Sequence, residues 1–254
     1  MPGGRKNLCA LRVPENAAPG VLAPTSGVLP LNMPQMSSLF EVFRLMLDPR
    51  GRSAQFRIGG VLSLIAMAIL SGARDISEIA RFAHRLQPRQ RAHIGMPRKA
   101  GTRAFYRVPT YSVFYQVLKR MDAEVFAERL SGWLQAWAGS LPGGLALDGK
   151  MIRDRIGMVT LAEHEDGSPL SMTVMDQKEG TKRSESSASR QLLEKLPALD
   201  GKTVTADALH CQTQTARIIG EKGGDYLLQI KANQPKLQQL AQALGAVTPP
   251  LFAK

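Results

Sequence analysis

Residues 203–219 read TVTADALHCQTQTARII. The β-prone run Thr203 to Ala206 ends in one acid, Asp207, and a short polar stretch then leads into a helix-forming segment. An acid at the end of a strand can place its carboxylate where a metal ion could use it. The same acid could instead cap the following helix. The sequence around it has to decide.

Working upstream, PGGLALDGK (142–150) gives a short apolar strand, Leu145 to Leu147, which ends at Asp148 before a glycine turn. MVTLAEHEDGSPLSMTVMDQK (158–178) reads as two strands around the turn Glu165-Asp166-Gly167. Residues 187–196 form a helix, 203–206 a strand, and 211–224 a helix closed by Gly223 or Gly224. DYLLQI (225–230) is a further strand, and QPKLQQLAQAL (234–244) a further helix. A hairpin meander followed by strand–helix alternation predicts a mixed sheet covered by helices, an α/β core over 141–254.

Residues 37–140 predict an all-helical domain. SSLFEVFRLML (37–47) opens with serines and sets Leu39, Val42, Phe43 and Met46 on one face. Asp75 and Glu78 form a capping pattern ahead of Ile76, Ile79, Ala80 and Ala83. Thr110 is the expected cap of a helix through 111–121, and 123–139 carries Val125, Leu130, Trp133, Leu134 and Trp137. The two tryptophans read as core anchors rather than base-stacking groups. Residues 1–36 hold six prolines and four glycines without apolar periodicity and are expected to be disordered. Met33 and Met36 stand just before the first ordered segment, consistent with an upstream start codon assigned in error.

From Arg81 to Arg107 the chain carries eight Lys or Arg residues and no acid. Such a run is either a solvated loop or a phosphate-contacting surface. Because like charges repel unless neutralised, Arg89, Arg91, Arg98, Lys99 and Arg103 are candidate DNA contacts with salt-dependent binding. Two helices around a turn would fit a helix-turn-helix, but no recognition helix is identifiable.

Composition bounds the partners. The chain has 254 residues, 44% of them hydrophobic, with net charge +12 and pI about 10.1. A core of real size and a polyanionic partner both follow; nucleic acid and an anionic membrane surface fit the charge alone. The most apolar run, 58–70, is 13 residues long, short of the roughly 20 a spanning helix needs. LCALRV (8–13) is broken by Arg12 and makes a poor signal peptide. Cys9 and Cys211 have no metal or disulfide spacing. No membrane role and a cytoplasmic, nucleoid-associated location are expected.

Asp148 and Asp207 are 59 positions apart, but neighbouring strands of one sheet would bring them together. Two carboxylates in contact repel unless a cation lies between them. A hard divalent ion, Mg2+ (or Mn2+), suits oxygen ligands, and the corresponding chemistry is phosphoryl transfer. A turn-capping role for each acid remains the plain alternative.

At these residues the chain resembles the DDE transposases of bacterial insertion sequences, in the group of the H-repeat-associated proteins. The matching stretches are LFEVFRLMLDPR, AILSGARDISEIARFA, VPTYSVFYQVLKRMDAEVF, LALDGKMIR, VTADALHCQTQTARII and GDYLLQIKANQPKL, in order from about residue 38 to 240. The motifs DGK…R, DA-x-H-x-Q and K-x-NQ are specific together and weak singly. The resemblance implies a ribonuclease H-like core after a helical transposase-associated domain, with Asp148 and Asp207 as the first two acids of a catalytic triad. It also implies DNA as partner, both terminal inverted repeats and target DNA, and leaves a homodimer as a candidate assembly. By the same resemblance Lys150, Arg153, His210, Gln212, Lys231, Asn233 and Gln234 are assigned to the substrate side. Surface exposure is the alternative for Lys150 and Arg153, and capping or packing of the following helix the alternative for His210.

Glu185 lies near a family glutamate, but the surrounding GTKRSESSA departs from the family pattern, so it receives no role. A zinc site of His164, His210 and Cys211 has no zinc-type spacing. The family's third acid, a glutamate on a later helix, has no counterpart here; Glu221 and Asp225 stand elsewhere and read as surface or capping residues. Little strand transfer by the chain alone and poor solubility are therefore expected. Two readings remain: a transposase portion completed by a programmed frameshift or left as an incomplete gene, or a non-catalytic DNA-binding remnant. A ribonuclease H-like nuclease acting on RNA is disfavoured by the helical N-terminal match.

Overall fold

In the computed structural model the described residues are 31–51, 54–103, 105–152, 156–175 and 185–247. The chain divides into two compact units, Met1–Trp137 and Ala138–Lys254.

The first unit is built from α1 (Met33–Arg44), α2 (Ile58–Leu70), α3 (Ile76–Arg85), α4 (Pro88–His93), α5 (Tyr111–Arg120) and α6 (Ala123–Ala138). One short β bridge, Arg98 to Tyr106, interrupts the expected all-helical pattern. Helix α1 starts four residues before the serines that were expected to open it. Asn32 and Gln35 form a reciprocal capping box, each side chain accepting from the other's backbone N–H at 2.9 Å. Residues 33–36, expected in the N-terminal extension, are thus the first turn of α1. Leu39, Phe43 and Met46 are buried as their spacing predicts.

Ser38 has a different task from capping. Its hydroxyl donates to the Gln35 carbonyl and accepts from the indole N–H groups of Trp133 and Trp137, at 2.9 and 2.8 Å. One oxygen satisfies both tryptophans. Ser38→Ala is expected to destabilise this unit by about 1–3 kcal/mol, since both donors lose their acceptor. Thermal unfolding followed by tryptophan fluorescence checks it, and an unchanged midpoint would remove the hydroxyl from the account.

Nine of the thirteen residues of α2 are buried, so the apolar run is a core helix. No helix among the described residues is long and apolar enough to cross a membrane. Gly60 permits close packing: a Cβ there would meet the Ile94 carbonyl oxygen at 2.7 Å. Asp75 caps α3 by accepting from the Glu78 N–H, as its pattern suggests. Thr110 precedes α5 without a side-chain cap bond.

The second unit contains β1 (Gly144–Ile152), β2 (Ile156–Glu163), β3 (Pro169–Met175), α7 (Glu185–Lys195), β4 (Thr203–Ala206), α8 (Thr213–Glu221), β5 (Asp225–Leu228) and α9 (Pro235–Val247). The strands form one mixed sheet in the order β3-β2-β1-β4-β5. The β1–β2 and β2–β3 pairs are antiparallel, the β1–β4 and β4–β5 pairs parallel. Among the described residues the strands and helices therefore follow the expected α/β type and order. Leu145, Leu147, Val159, Leu161 and Val204 from the sheet pack with Ala188, Leu192, Leu193 and Leu196 of α7 and its end.

Strand β1 corrects the expected glycine turn after Asp148. It continues to Ile152 because β2 pairs with it along that length, Asp148 opposite Thr160 and Gly149 opposite Val159. Asp148 is a mid-strand residue.

Candidate metal and nucleic-acid site

The parallel register of β1 and β4 pairs Leu145 with Val204 and Leu147 with Ala206. The next residues along are Asp148 and Asp207, so two acids 59 positions apart in sequence directly follow paired positions of neighbouring strands, which in a sheet run about 4.8 Å apart. Leu145, Leu147 and Val204 are buried while Asp148 and Asp207 are exposed, as two-residue alternation along a half-covered sheet requires.

Asp207 does not cap α8. The N-cap of that helix is Gln212, five residues later. Instead Asp207 Oδ1 accepts from the Leu209 N–H at 2.9 Å and the Asp207 carbonyl from the His210 N–H, folding the tight turn at 207–210. One of its oxygens is thus held by the turn, and the side chain stays 54% exposed.

His210, expected at the substrate, is only 1% exposed. Its Nε2 lies 3.3 Å from Glu185 Oε1 and 3.8 Å from Asp207 Oδ1, and its Nδ1 has no partner. A side chain sealed in this way cannot touch DNA. Gln212 is also engaged within the fold: its amide donates to Ser186 Oγ and the Leu209 carbonyl, and its oxygen accepts from Arg190. Asn233 donates to the Ala208 carbonyl at 3.0 Å, and Gln234 to the Cys211 carbonyl. The DA-x-H-x-Q and K-x-NQ motifs therefore lock the loop after β4 to α7 and to the loop before α9. Lys150 on β1 and Lys231 are exposed. Arg153 lies outside the described residues.

Glu185, left without a role by the sequence, opens α7 and joins this cluster. Only the departure of its surroundings from the family pattern argued against it. Glu221 pairs with Arg217 at 2.6 Å on α8, and Asp225 begins β5, both exposed. His164 is bonded to Thr205 Oγ1 at 2.7 Å. Among the described residues no group of three or more His, Cys, Asp or Glu side chains is arranged to hold a metal ion. What the site offers is a pair of carboxylates.

The end of the basic run forms a small ribbon, after Arg81 and Arg85 on α3 and Arg89 and Arg91 on α4. Lys99 N–H donates to the Phe105 carbonyl and Arg107 N–H to the Pro97 carbonyl, flanking the Arg98–Tyr106 bridge. Arg98 lies over the Tyr106 ring at 5.9 Å and Lys99 over the Phe105 ring at 5.6 Å. Arg89, Arg98, Lys99 and Arg103 are exposed. Arg91 is used differently: its guanidinium donates to the His84 carbonyl at 2.6 Å and the Tyr106 carbonyl at 3.4 Å, bracing the ribbon against the end of α3. Helix α4 was missed, although Pro88 at its first position and Gln90, whose side chain accepts from the Gln87 N–H, were available signals.

A family model described as DDE_Tnp_1-associated matches residues 40–134. The chain is 30% identical over 203 residues to an uncharacterized protein in the dhlA 3′ region of Xanthobacter autotrophicus, covering 77% of this chain and 66% of that protein. It is 28% identical over 213 residues to YncI of Escherichia coli K12, which bears the name of a candidate transposase, covering 80% of this chain and 81% of that one. It is 25% identical over 214 residues to the H repeat-associated YhhI of the same organism, covering 81% of this chain and 54% of that one. A cryo-EM structure of a piggyBac transposase synaptic complex with hairpin DNA matches at TM-score 0.44 and 9% identity, over 82% of this chain and 53% of that chain. Over about four fifths of its length the chain is thus similar to proteins named as H repeat-associated or as candidate transposases. It spans 66% of the Xanthobacter protein and about half the length of YhhI.

Proposed function

We propose that this chain serves in DNA transposition by metal-dependent phosphoryl transfer, with Asp148 and Asp207 as paired ligands of Mg2+ (or Mn2+) on a ribonuclease H-like sheet. The observation that carries the reading is the β1–β4 register, which makes two exposed acids neighbours. Paired carboxylates supply hard oxygen donors and repel each other without a cation, so the residues fit a divalent ion. Bound there, the ion would act as a Lewis acid on a phosphodiester and on the oxygen attacking it. Asp148 is fixed by a strand bonded on both edges, and Asp207 by its own turn. Lys150, exposed two residues after the first acid, suits a phosphate oxygen of the substrate strand.

DNA is the proposed partner, as terminal repeats and as target. Arg89, Arg98, Lys99 and Arg103 are its contacts on the helical unit, while Arg91 holds their ribbon in place. The run's lack of any acid supports this assignment.

Iron substitution tests the ion's place. Fe2+ with ascorbate and peroxide generates radicals that cut the polypeptide next to a divalent-metal site. Cuts near residues 148 and 207, suppressed by excess Mg2+, are expected. Cuts elsewhere, or none in a folded chain, would contradict the reading.

A further inference from the structure

Glu185 Oε1 and Cδ stand 2.1 and 2.2 Å from where a Cβ on Gly149 would be. The carboxylate of the first residue of α7 therefore rests directly on the β1 backbone, one residue beyond Asp148. Any side chain at 149 would displace it. From this seat Glu185 faces His210, whose Nε2 lies between Glu185 Oε1 at 3.3 Å and Asp207 Oδ1 at 3.8 Å. A carboxylate oxygen accepts, so the 3.3 Å bond to Glu185 Oε1 needs a proton on His210 Nε2, while Asp207 Oδ1 at 3.8 Å lies just beyond bonding distance. The Nδ1 atom, buried without a partner, is then the bare acceptor, whereas the other tautomer would bury an unsatisfied N–H against nothing.

We propose that Gly149, Glu185 and His210 form a brace that orients the Asp207 carboxylate toward Asp148, making Glu185 and His210 positioning residues. This rests on the reading of the two aspartates as a cation pair. The brace links α7, β1 and the turn after β4, three elements far apart in sequence. A buried histidine kept only for packing would need neither a carboxylate at its Nε2 nor a glycine under that carboxylate. A partner that orients a metal-ligating side chain typically changes metal affinity by about 10- to 100-fold when removed.

Mn2+ titration of the full chain, followed by the electron paramagnetic resonance of the free ion, tests the brace. Glu185→Ala and Gly149→Ala are each expected to weaken Mn2+ binding roughly 10-fold. The double variant should match Glu185→Ala alone, because the added Cβ fits once the carboxylate is gone. Circular dichroism checks that each variant folds. Should Glu185→Ala not fold, His210→Phe fills the same buried space without an N–H and is expected to show the same loss. Wild-type affinity in the folded variants overturns the brace while leaving the aspartate pair intact. A loss as large as that of Asp207→Asn overturns positioning in favour of direct ligation. Absence of Mn2+ binding by the unaltered chain overturns the cation pair itself and the brace with it.

Discussion

Replacing Arg98, Lys99 and Arg103 together by alanine is expected to lower affinity for duplex DNA on the order of 100-fold at about 0.1 M salt. Each phosphate contact contributes about 0.9 to the slope of log affinity against log salt, so losing three should flatten that slope by roughly 2–3. All three side chains are exposed on or beside the ribbon that pairs Arg98 with Tyr106, and no acid from residue 81 to 107 offsets them. Arg217→Ala serves as control: that side chain is paired with Glu221 on α8. Fluorescence anisotropy over a salt series measures both quantities. A slope unchanged in the triple variant takes the ribbon out of the DNA interface.

The second large effect is on stability. Leu193→Ala should destabilise the sheet unit by about 3 kcal/mol, within the 2–5 kcal/mol typical of fully buried leucines. Leu193 has no exposed surface and packs among Leu145, Leu147, Val159, Leu161 and Val204. Its loss leaves a cavity beneath the helix that carries Glu185 and Ser186. By contrast, Leu240→Ala on α9, where Leu240 is 56% exposed, should stay within about 0.5 kcal/mol. Urea unfolding followed by circular dichroism compares them. Equal midpoints for the two variants would mean that α7 does not close the core as described.

The order of elements in the sheet unit was legible because each apolar run has one period and is bounded by turn residues. The hairpin around Asp166-Gly167 and the strand–helix alternation after it needed no tertiary information. The adjacent strand positions of Asp148 and Asp207 follow for a related reason: each is the first acid after a strand-forming run, and the two strands pair in parallel. What escaped depends on contacts distant in sequence. Gly149 looked like a turn because its purpose, seating Glu185, lies 36 residues away. Ser38 was read only as one of the serines opening the first helix, because its indole partners are 95 and 99 residues away. His210, Gln212, Asn233 and Gln234 were assigned to the substrate side by the resemblance of their motifs, DA-x-H-x-Q and K-x-NQ. In the structure His210 is buried and the other three bond to the loop after β4 and to α7, which residue type alone does not reveal.

Titrating the chain with Mn2+, alone and as Asp148→Asn or Asp207→Asn, decides most directly whether these two carboxylates share a cation. Both substitutions keep side-chain size and remove one anionic ligand. The unaltered chain should bind the ion, and each variant should lose at least about 100-fold in affinity, beyond what an outer-shell change causes. Binding that survives in either folded variant at wild-type strength, or a native chain that takes up no ion, would contradict the paired-acid site.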